Sequence, residues 1–568
     1  MTHDYLVNKT IGQVLESNAA QYPNEDALIY PNRDRRYTWG ALNDEVDRLA
    51  RGLLALGVKK NDRLAIWATN VPQWLTVLYA SAKIGAILIT VNTHYRKSEI
   101  EYLLKQSEAN YLFMMDSFRG FSYVNAINEI APELASLKPQ QSRLNSKELP
   151  HLKTIVYLGD QTPPPGMLAY DAVLDLGAKV EQSELKKISQ SLEVDDIINM
   201  QYTSGTTGFP KGVMLTHQNI VTNGYWIGFH QGLTQKDRIC LPVPLFHCFG
   251  LVLGAMAALN HASAMIVLDI YSAMDILINV EKEKCTAIYG VPTMFISLLE
   301  QKSFNNFDLS TLRTGIMAGS PCPVKTMSET IERMNMRDIT ICYGMTETSP
   351  VVTQTKIGDS LDKRTQTVGR VMPGVELRIC DPQSREDLRA GEIGEVAVRG
   401  YVNMKGYYNL PVATQEIVDE DGWIHTGDLG FFDSDGYLVI TGRYKDMIIR
   451  AGENIYPTEV EEAIRHMPGV SDVAVVAVPS HLHGEELGAF IILDENTPQI
   501  TVRDVKSYLR PLISGYKIPR FVKCLDKLPL TASGKIQKFK LREMASELWG
   551  TFKKGPKTSS YKEKRNAS

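Results

Sequence analysis

Short apolar runs alternate with amphipathic helical patterns along the first three quarters of the chain, and this alternation constrains the fold most. Each run has the length and the continuous apolar content of a strand that is buried on both faces. A typical helical pattern between such runs covers Trp39–Leu56. Strands that alternate with helices form βαβ units, which build mostly parallel sheets. The predicted strands are Arg63–Ala68, Ala86–Val91, Tyr111–Met115, Thr154–Leu158 and Ala264–Leu268.

The pattern changes to short strand-like runs after about residue 365 and to a compact α+β pattern beyond Gly442. We therefore predict an α/β fold whose large N-terminal domain, 1–442, has two mixed αβ layers and a β-barrel-like subdomain at about 365–442. A small mobile α+β C-terminal domain follows at 443–550, and we expect a disordered tail at 551–568. The strands predicted here are Val375–Cys380, Gly394–Arg399, Tyr437–Thr441, Val473–Val478 and Ala489–Leu493.

Two local features qualify this outline. Residues 134–153 have the composition of a surface insertion. A helix is predicted to start at Pro457-Thr458, where Thr458 and Glu461 have the spacing of a capping box.

Charge and cysteine content exclude several kinds of partner. The 568 residues include 61 Lys+Arg and 65 Asp+Glu, which gives a formal net charge of −4. A chain without a basic surplus lacks the electrostatic signature of a nucleic-acid-binding protein. The 7 cysteines form no CxxC pair, which disfavours a zinc ribbon and fits a reducing compartment. The amino-terminal residues have no apolar run typical of a signal peptide, so we expect a cytoplasmic protein, either a monomer or a homodimer.

Two apolar stretches are long enough to raise the question of a membrane span. Leu75–Val91 contains Lys83, and Gly250–Ile270 contains Asn260, His261 and Asp269. Both patterns favour a buried helix followed by a strand over a transmembrane segment. The sequence therefore predicts no membrane span, although it is compatible with peripheral membrane contact.

A loop rich in glycine and hydroxyl residues, Tyr202-Thr-Ser-Gly-Thr-Thr-Gly-Phe-Pro-Lys-Gly212, follows the apolar run Ile197–Met200. Its N–H and O–H groups can surround phosphate oxygens, and Lys211 adds a positive charge. A surface loop of the same composition is the alternative. A Walker P-loop requires Ser or Thr directly after the lysine, and Gly212-Val213 stands there instead, which disfavours a P-loop NTPase.

With this loop, six further motifs in a fixed order make the chain resemble the adenylate-forming (AMP-binding) superfamily. That superfamily includes acyl-CoA synthetases, firefly luciferase and non-ribosomal peptide adenylation domains. The resemblance spans almost the whole chain, and 421–428 and 450–454 are similar to the fatty acyl-CoA synthetase branch. The six motifs are Pro244-Leu-Phe-His247, Tyr343-Gly-Met-Thr-Glu347, Gly391-Glu392 through Gly406-Tyr407, His425-Thr-Gly-Asp428, Gly442-Arg-Tyr-Lys-Asp446 through Gly452-Glu453-Asn454, and Pro529-Leu-Thr-Ala-Ser-Gly-Lys535.

The resemblance implies a site for ATP and AMP. In such a site Tyr343 stacks on adenine, where a core tyrosine is the alternative. Asp428, expected in a turn, accepts hydrogen bonds from the ribose hydroxyls, and Arg443 reaches the ribose or the phosphate. The other implied nucleotide-binding residues are Thr203, Ser204, Gly205, Thr206, Thr207, Gly208, Lys211, Gly319, Ser320, Pro321, Gly344 and Thr346.

The resemblance also implies the catalytic groups. Thr346 binds the α-phosphate, and Glu347 ligates Mg²⁺ together with Thr203, as suits hard oxygen ligands. Lys535 bridges the substrate carboxylate and the α-phosphate with its charge. His247 forms a gate or wall of the acyl pocket, and a core histidine is the alternative.

Residues of the carboxy-terminal quarter are implied to serve coenzyme A. Lys445 occupies the hinge between the two domains and absorbs the backbone rotation of a domain movement. Gly452 and Glu453 would line the coenzyme A tunnel, where a side chain at Gly452 would block close approach.

The implied acyl pocket is apolar, without a lysine or arginine for a second carboxylate. It favours a medium- to long-chain fatty acid, and an aryl acid is an alternative. The implied reaction converts ATP, the acid and coenzyme A into an acyl-CoA thioester, AMP and pyrophosphate through an acyl-adenylate. The implied pocket residues are His247, Phe249, Gly250, Tyr289, Gly290, Ile316 and Met345.

Other functions remain open at this stage. The chain could load a carrier protein with the acyl group instead of making acyl-CoA, or act as a luciferase-type oxygenase. A catalytically inactive nucleotide-binding scaffold is the alternative outside the enzymes.

Overall fold

Two large sheets with parallel cores form the framework of the N-terminal part. The structure, a computed structural model, describes residues 5–138, 143–203, 210–451, 453–480, 483–495, 497–531 and 535–550. In spatial order, one sheet contains Asp338–Thr340, Thr314–Met317, Ala287–Gly290, Arg238–Leu241, Ala264–Val267, Asp26–Tyr30 and Arg35–Thr38. The other contains Gly406–Tyr407, Lys211–Thr216, Ile197–Thr203, Ile87–Thr90, Arg63–Trp67, Tyr111–Met114, Thr154–Tyr157 and Met167–Ala169.

The predicted strands of both sheets are confirmed to within one residue at each end. They are short and rich in branched apolar residues, because each is covered by helices on both faces. The antiparallel pairs lie at the edges, as with Asp26–Tyr30 beside Arg35–Thr38.

Helices form three layers around and between the two sheets. The largest apolar cluster includes side chains of both sheets and of the helices between them, such as Trp39–Ala55 and Gln73–Lys83. Separate clusters cover the outer face of each sheet. The N-terminal helices are Ile11–Gln21, Trp39–Ala55, Gln73–Lys83, Lys97–Gln106, Tyr123–Ile130, Tyr170–Leu176, Gln182–Gln190, His217–His230, Ala257–His261, Ala273–Lys282, Pro292–Leu299, Val324–Arg333, Leu361–Gln366 and Pro411–Ile417, with a π-helix at Phe249–Met256.

The segment predicted to be β-rich folds into two small antiparallel sheets. One begins before residue 365, and the other carries the predicted strands of this region, with Tyr437–Thr441 shifted to Leu438–Arg443. The three-stranded sheet consists of Cys342–Gly344, Val351–Gln354 and Arg370–Val371. The four-stranded sheet consists of Val375–Cys380, Gly394–Gly400, Ile424–Phe432 and Leu438–Arg443.

The C-terminal part has its own sheet and its own apolar core. Its long hairpin, Val470–Ser480 and Gly484–Leu493, contains the two strands predicted there. Its further strands are Ile448–Arg450, Glu453–Ile455 and Phe521–Cys524, and its helices are Pro457–Arg465, Val502–Leu509 and Lys538–Trp549. The predicted tail 551–568 lies outside the described residues.

The capping box predicted for Thr458 and Glu461 is wrong, although the helix does begin at Pro457. The Thr458 hydroxyl instead donates to the Thr441 carbonyl of the neighbouring part of the chain. Glu461 accepts hydrogen bonds from the Val475 N–H at 2.7 Å and from Lys538 at 2.7 Å. Tertiary partners therefore replace the local contacts that the spacing suggested.

The segment 134–153 is more than a surface insertion. It contains the end of a 3-10 helix, Pro132–Ser136, and residues 139–142 are outside the described part. Its leucines at 134, 144, 149 and 152 are buried in the cluster that covers one sheet. Because polar residues separate these leucines in the sequence, the composition of the segment did not indicate that the leucines are buried.

Both apolar stretches are a helix followed by a strand, as predicted: Gln73–Lys83 leads to Ile87–Thr90, and Ala257–His261 leads to Ala264–Val267. Among the described residues, no helix combines the length and apolar content that crossing a bilayer requires. Lys83 is fully buried, and its ammonium contacts Asn43 at 2.8 Å, Glu16 at 3.0 Å and Asp47 at 2.5 Å.

Substitutions at this buried ion pair should have unequal effects. Asp47→Ala leaves a buried ammonium poorly compensated, and removing one partner of a buried pair costs about 3–5 kcal/mol. Lys83→Met removes the buried charge, leaves the half-exposed Glu16 free to face water, and leaves Asp47 with its hydrogen bond from Gln182 at 2.6 Å. We expect a larger fall in thermal unfolding temperature for Asp47→Ala than for Lys83→Met, measured by calorimetry. Equal losses would contradict this interpretation.

Candidate active site

Three predicted nucleotide residues meet at the Asp428 carboxylate. The Tyr343 hydroxyl donates to Oδ2 at 2.7 Å, and Arg443 Nε donates to Oδ1 at 2.9 Å. Burial and the negative charge of Asp428 raise the pKa of Tyr343 well above its ordinary value, so the phenol stays protonated. Each carboxylate oxygen thus has one donor and a further lone pair for a ligand hydroxyl.

The local backbone at these residues differs from the prediction. Tyr343 lies in the short strand Cys342–Gly344, which follows the parallel-sheet strand Asp338–Thr340. Asp428 lies within the strand Ile424–Phe432, paired with Arg443, and the predicted turn is wrong. At Gly344 the backbone has a φ of +155°, and a Cβ there would overlap the Pro350 carbonyl, so only glycine fits.

Glu347 and Thr203 come together as predicted for a metal site. The Thr203 hydroxyl donates to Glu347 Oε1 at 3.5 Å, and the Tyr407 hydroxyl donates to the same oxygen at 2.8 Å. Glu347 is buried and is therefore not a solvated surface acid. Within the described part of the chain, no hydrogen bond reaches its second oxygen, Oε2. An available carboxylate oxygen beside a hydroxyl fits the oxygen ligands that Mg²⁺ requires.

Tyr407 was missed as a site residue, although it ends one of the seven motifs. Burial and Glu347 raise the pKa of Tyr407, which keeps it a donor. The Lys211 ammonium lies 5.0 Å from the centre of its ring. Lys211 is therefore held over the Glu347 side of the site, where a phosphate ligand would also meet its charge.

Several predicted nucleotide residues lie in loops beside this centre. Thr346 is buried and opens the 3-10 turn Thr346–Thr348. Gly319, with a φ of +94°, follows the strand Thr314–Met317 and leads to the exposed Ser320 and Pro321. Ser204, Gly205, Thr206, Thr207 and Gly208 lie outside the described residues.

A cavity extends from Lys535 into the N-terminal domain. It encloses about 820 Å³ of space between atoms, part of it open to solvent. Its walls are mainly apolar. The lining residues are Thr69, Asn70, Thr93, His94, Phe118, Arg119, Pro242, Val243, Pro244, Phe246, His247, Phe249, Asp269, Ile270, Tyr271, Val291, Met294, Gly319 and Lys535.

This lining overlaps the predicted acyl pocket in His247 and Phe249. Tyr289 and Ile316 are fully buried in the core, and neither they nor Gly250, Gly290 and Met345 belong to the lining of this cavity. No motif marks Phe118 and Arg119, which lie in the two-stranded hairpin of Ser117–Phe118 and Phe121–Ser122, or the segment 269–271, so the sequence did not identify them. Asp269 is paired with Arg33 at 2.6 Å.

His247 forms part of the wall as a neutral imidazole. Burial and, to a lesser extent, the charge of Lys535 lower the pKa of His247 to about 3. Its Nδ1 accepts a hydrogen bond from the Phe249 N–H at 3.2 Å. A side chain in this state can shape a pocket but is a poor general base.

Lys535 of the C-terminal domain lines the cavity, and its backbone is hydrogen-bonded to Thr531. The Thr531 N–H donates to the Lys535 carbonyl at 2.7 Å, and the Lys535 N–H donates to the Thr531 hydroxyl at 3.0 Å. Leu530 and Ile536 form an isolated antiparallel bridge at its base. These contacts fix the backbone of Lys535, whose side chain lines the cavity together with His247.

The predicted hinge is a single 3-10 turn, Tyr444–Asp446. Arg542 fastens it to the C-terminal domain through Asp446 at 2.7 Å and the Lys445 carbonyl at 3.4 Å. Glu453 begins a strand that pairs with Ile448–Arg450, and Gly452 lies outside the described residues.

Comparisons with known proteins agree across the whole length. The family model for the AMP-binding enzyme matches residues 15–408, and that for the AMP-binding enzyme C-terminal domain matches residues 459–535. The putative acyl-CoA synthetase YngI of Bacillus subtilis (strain 168) is 49% identical, over 96% of this chain and 98% of that protein. The human medium-chain acyl-CoA ligase ACSF2, mitochondrial, is 39% identical, over 95% of this chain and 88% of that protein.

Solved structures match as well. The anthranilate CoA ligase AuaEII in complex with anthranoyl-AMP has a TM-score of 0.82 at 27% identity, covering 96% of this chain and 99% of that one. A Mycobacterium tuberculosis fatty acyl CoA synthetase has a TM-score of 0.71 at 26% identity, covering 95% and 99%.

A substitution at His247 should change pocket shape but not pH dependence. With a pKa of about 3, the imidazole is neutral throughout pH 6–9 and exchanges no proton there. We expect His247→Asn to raise the KM for the acid substrate and to leave the pH profile of kcat/KM unchanged over that range. Loss of an ionisation near neutral pH in the variant would show that His247 acts as a base.

Proposed function

The chain belongs to the AMP-binding enzyme family and is an acid–thiol ligase that makes acyl-CoA through an acyl-adenylate, and from this premise we propose that its acid is a medium- to long-chain fatty acid. The apolar cavity beside Lys535 is the observation that carries the proposal. Its lining includes Val243, Phe246, Phe249, Ile270, Val291 and Met294.

Such walls select an alkyl chain by burying it. Each buried methylene contributes about 0.8 kcal/mol, so a longer chain gains affinity until the cavity is full. The Asp269 carboxylate is neutralised by Arg33 and offers no charge for an amino group. The lining does contain an arginine, contrary to the prediction: Arg119 is exposed and lies over the Phe118 ring, 5.4 Å from its centre.

In the first half-reaction, a carboxylate oxygen attacks the α-phosphorus of ATP, and the bond to pyrophosphate breaks. Tyr343, Asp428 and Arg443 hold the nucleoside, and Thr346 contacts the α-phosphate. Lys535 places its ammonium between the two anionic reactants and stabilises the charge that develops on the phosphate. Catalysis at this step is positioning and electrostatic stabilisation.

Magnesium would be held by Glu347 and Thr203, whose oxygens adjoin each other. When bound, it would neutralise charge on the ATP phosphates. Tyr407 orients the Glu347 carboxylate for this role through its hydrogen bond.

In the second half-reaction, the coenzyme A thiol attacks the acyl carbon, releases AMP and loses its proton to solvent. We propose that the C-terminal domain first rotates about Lys445, which withdraws Lys535 and brings the face with Gly452 and Glu453 to the site. Because Arg443 still pairs within the four-stranded sheet, we propose that the domain boundary lies at the Tyr444–Asp446 turn, just beyond the predicted limit at residue 442.

An aryl acid is the second candidate. Phe246, Phe249 and Tyr271 line the cavity, and offset or edge contacts between rings stabilise an aromatic ligand by about 0.5–1.5 kcal/mol. The similarity to a structure of an anthranilate CoA ligase points the same way.

A pyrophosphate-release assay distinguishes the two acid classes. We expect fatty acids of about eight to sixteen carbons to give a higher kcat/KM than benzoate-type acids, because each added methylene is buried. Thioester should form only with coenzyme A present. A preference for an aromatic acid would refute the fatty acid assignment, and turnover without thioester would favour transfer to a carrier protein.

Two variants should separate the half-reactions. Lys535→Ala should lower adenylate formation by roughly 10²-fold or more and spare thioester formation from pre-made acyl-adenylate. Lys445→Pro should do the reverse, because proline restricts the φ rotation that the hinge requires. Single-turnover assays of each half measure both effects.

Lys527→Ala is the matched control, since Lys527 is an exposed lysine of the same domain. It should leave both halves unchanged. Equal loss of both half-reactions in Lys535→Ala, or normal thioester formation in Lys445→Pro, would contradict the assigned roles.

A further inference from the structure

The strand that carries Asp428 is bulged at that residue. His425 pairs with Ala397 and Leu429 pairs with Glu395, so three residues, Thr426-Gly427-Asp428, face only one on the neighbouring strand. Gly427 has a φ of +72°, which favours glycine. Bulges of this kind redirect a side chain, and here the side chain is the Asp428 carboxylate.

Two side chains satisfy the backbone N–H groups that the bulge removes from the ladder. Glu395 Oε1 accepts from the Gly427 N–H at 2.9 Å. The Thr426 hydroxyl accepts from the Asp428 N–H at 3.1 Å and donates to the Val396 carbonyl at 2.8 Å. The position of Glu395 therefore determines whether the bulge keeps its shape.

A buried histidine holds Glu395 in that position. His425 Nδ1 lies 3.1 Å from Glu395 Oε2, and Nε2 lies 3.1 Å from Asp419 Oδ2. Glu395 and His425 lie on neighbouring strands of the four-stranded sheet, and Asp419 lies in the Asp419–Trp423 turn, where it also contacts Arg378 at 3.3 Å. The contacts with Cys380 and Glu395 raise the pKa of His425 to about 10, so the imidazole is charged at neutral pH.

The same cluster has the side-chain types of a transition-metal site. Ligand atoms of Cys380, Glu395 and His425 lie within 4.8 Å of one another. A metal would require a neutral imidazole with a free nitrogen. Here both nitrogens face carboxylates, which favours the imidazolium over metal ligation.

We propose that His425 is a positioning residue for nucleotide binding: as an imidazolium between Glu395 and Asp419, it fixes the bulge that aims the Asp428 carboxylate at the ribose. The inference rests on the proposed role of Asp428. It assigns to His425 a part in recognising the ribose hydroxyls of ATP without touching the ligand.

The test compares the Kd values of ATP and 2′,3′-dideoxyATP, measured by calorimetry without acid substrate. Hydrogen bonds to a charged group are worth about 1.5–3 kcal/mol, so the wild-type enzyme should bind ATP at least roughly tenfold more tightly. His425→Gln is close in size but uncharged. It should lower this ratio to less than about threefold, and binding of dideoxyATP should weaken less than binding of ATP, because the hydroxyl contacts depend most directly on the bulge.

A second variant and a matched control keep the test decisive if His425→Gln folds poorly. Glu395→Gln weakens the acceptor for Gly427 and should lower the ratio to a similar extent. His217→Gln is the control, because His217 is also buried and accepts a hydrogen bond from the Ile11 N–H at 3.2 Å. Its loss should affect stability and leave the ratio unchanged.

The outcomes separate the two claims. A wild-type enzyme that does not discriminate between the nucleotides would refute the ribose role of Asp428, and the inference with it. A discriminating wild type whose ratio persists in His425→Gln and Glu395→Gln would overturn the inference alone. Zinc bound at about one equivalent per purified chain would also overturn it.

Discussion

The hydrogen bonds that meet at Asp428 connect every part of the site. Tyr343 approaches from the three-stranded antiparallel sheet, Asp428 lies on the bulged strand of the four-stranded sheet, and Arg443 ends the strand that leads into the hinge. A carboxylate with two directed donors has a fixed orientation, and its remaining lone pairs point to one place. Nucleotide recognition and the start of the mobile domain therefore depend on the same side chain.

The site handles anionic substrates with very few positive charges. The chain has a formal net charge of −4. Each cation at the site comes from a different element: Lys211 lies over the Tyr407 ring, Arg443 pairs with Asp428, and Lys535 lines the cavity. Charges in a partly buried site act more strongly than on the surface, because screening is weaker there. Opposite them, an apolar cavity receives the part of the substrate that carries no charge.

Much of this arrangement could be predicted from the sequence, because short sequence patterns determine the strands and the loops of the site. Continuous apolar runs identify the parallel strands, and motif order identifies which loops surround the nucleotide. Thr203 and Glu347, 144 residues apart, were placed together on that basis and do meet. Local patterns cannot show where a contact with a distant residue takes the place of a local one. Thr458 donates to the Thr441 carbonyl instead of capping its helix, and Asp428 lies in a bulged strand instead of a turn. The outer cavity wall and the Glu395–His425–Asp419 cluster join distant segments without a motif, so only the structure reveals them.

The central claim, that the acid is activated by transfer of AMP to its carboxylate, has a direct test. Octanoate labelled with ¹⁸O in both carboxyl oxygens is incubated with the enzyme, ATP and coenzyme A, and the products are analysed by mass spectrometry. Because a carboxylate oxygen becomes the bridge to the α-phosphorus and stays there when the thioester forms, the account predicts one ¹⁸O in each AMP. Unlabelled AMP, or the label in another phosphate product, would contradict it.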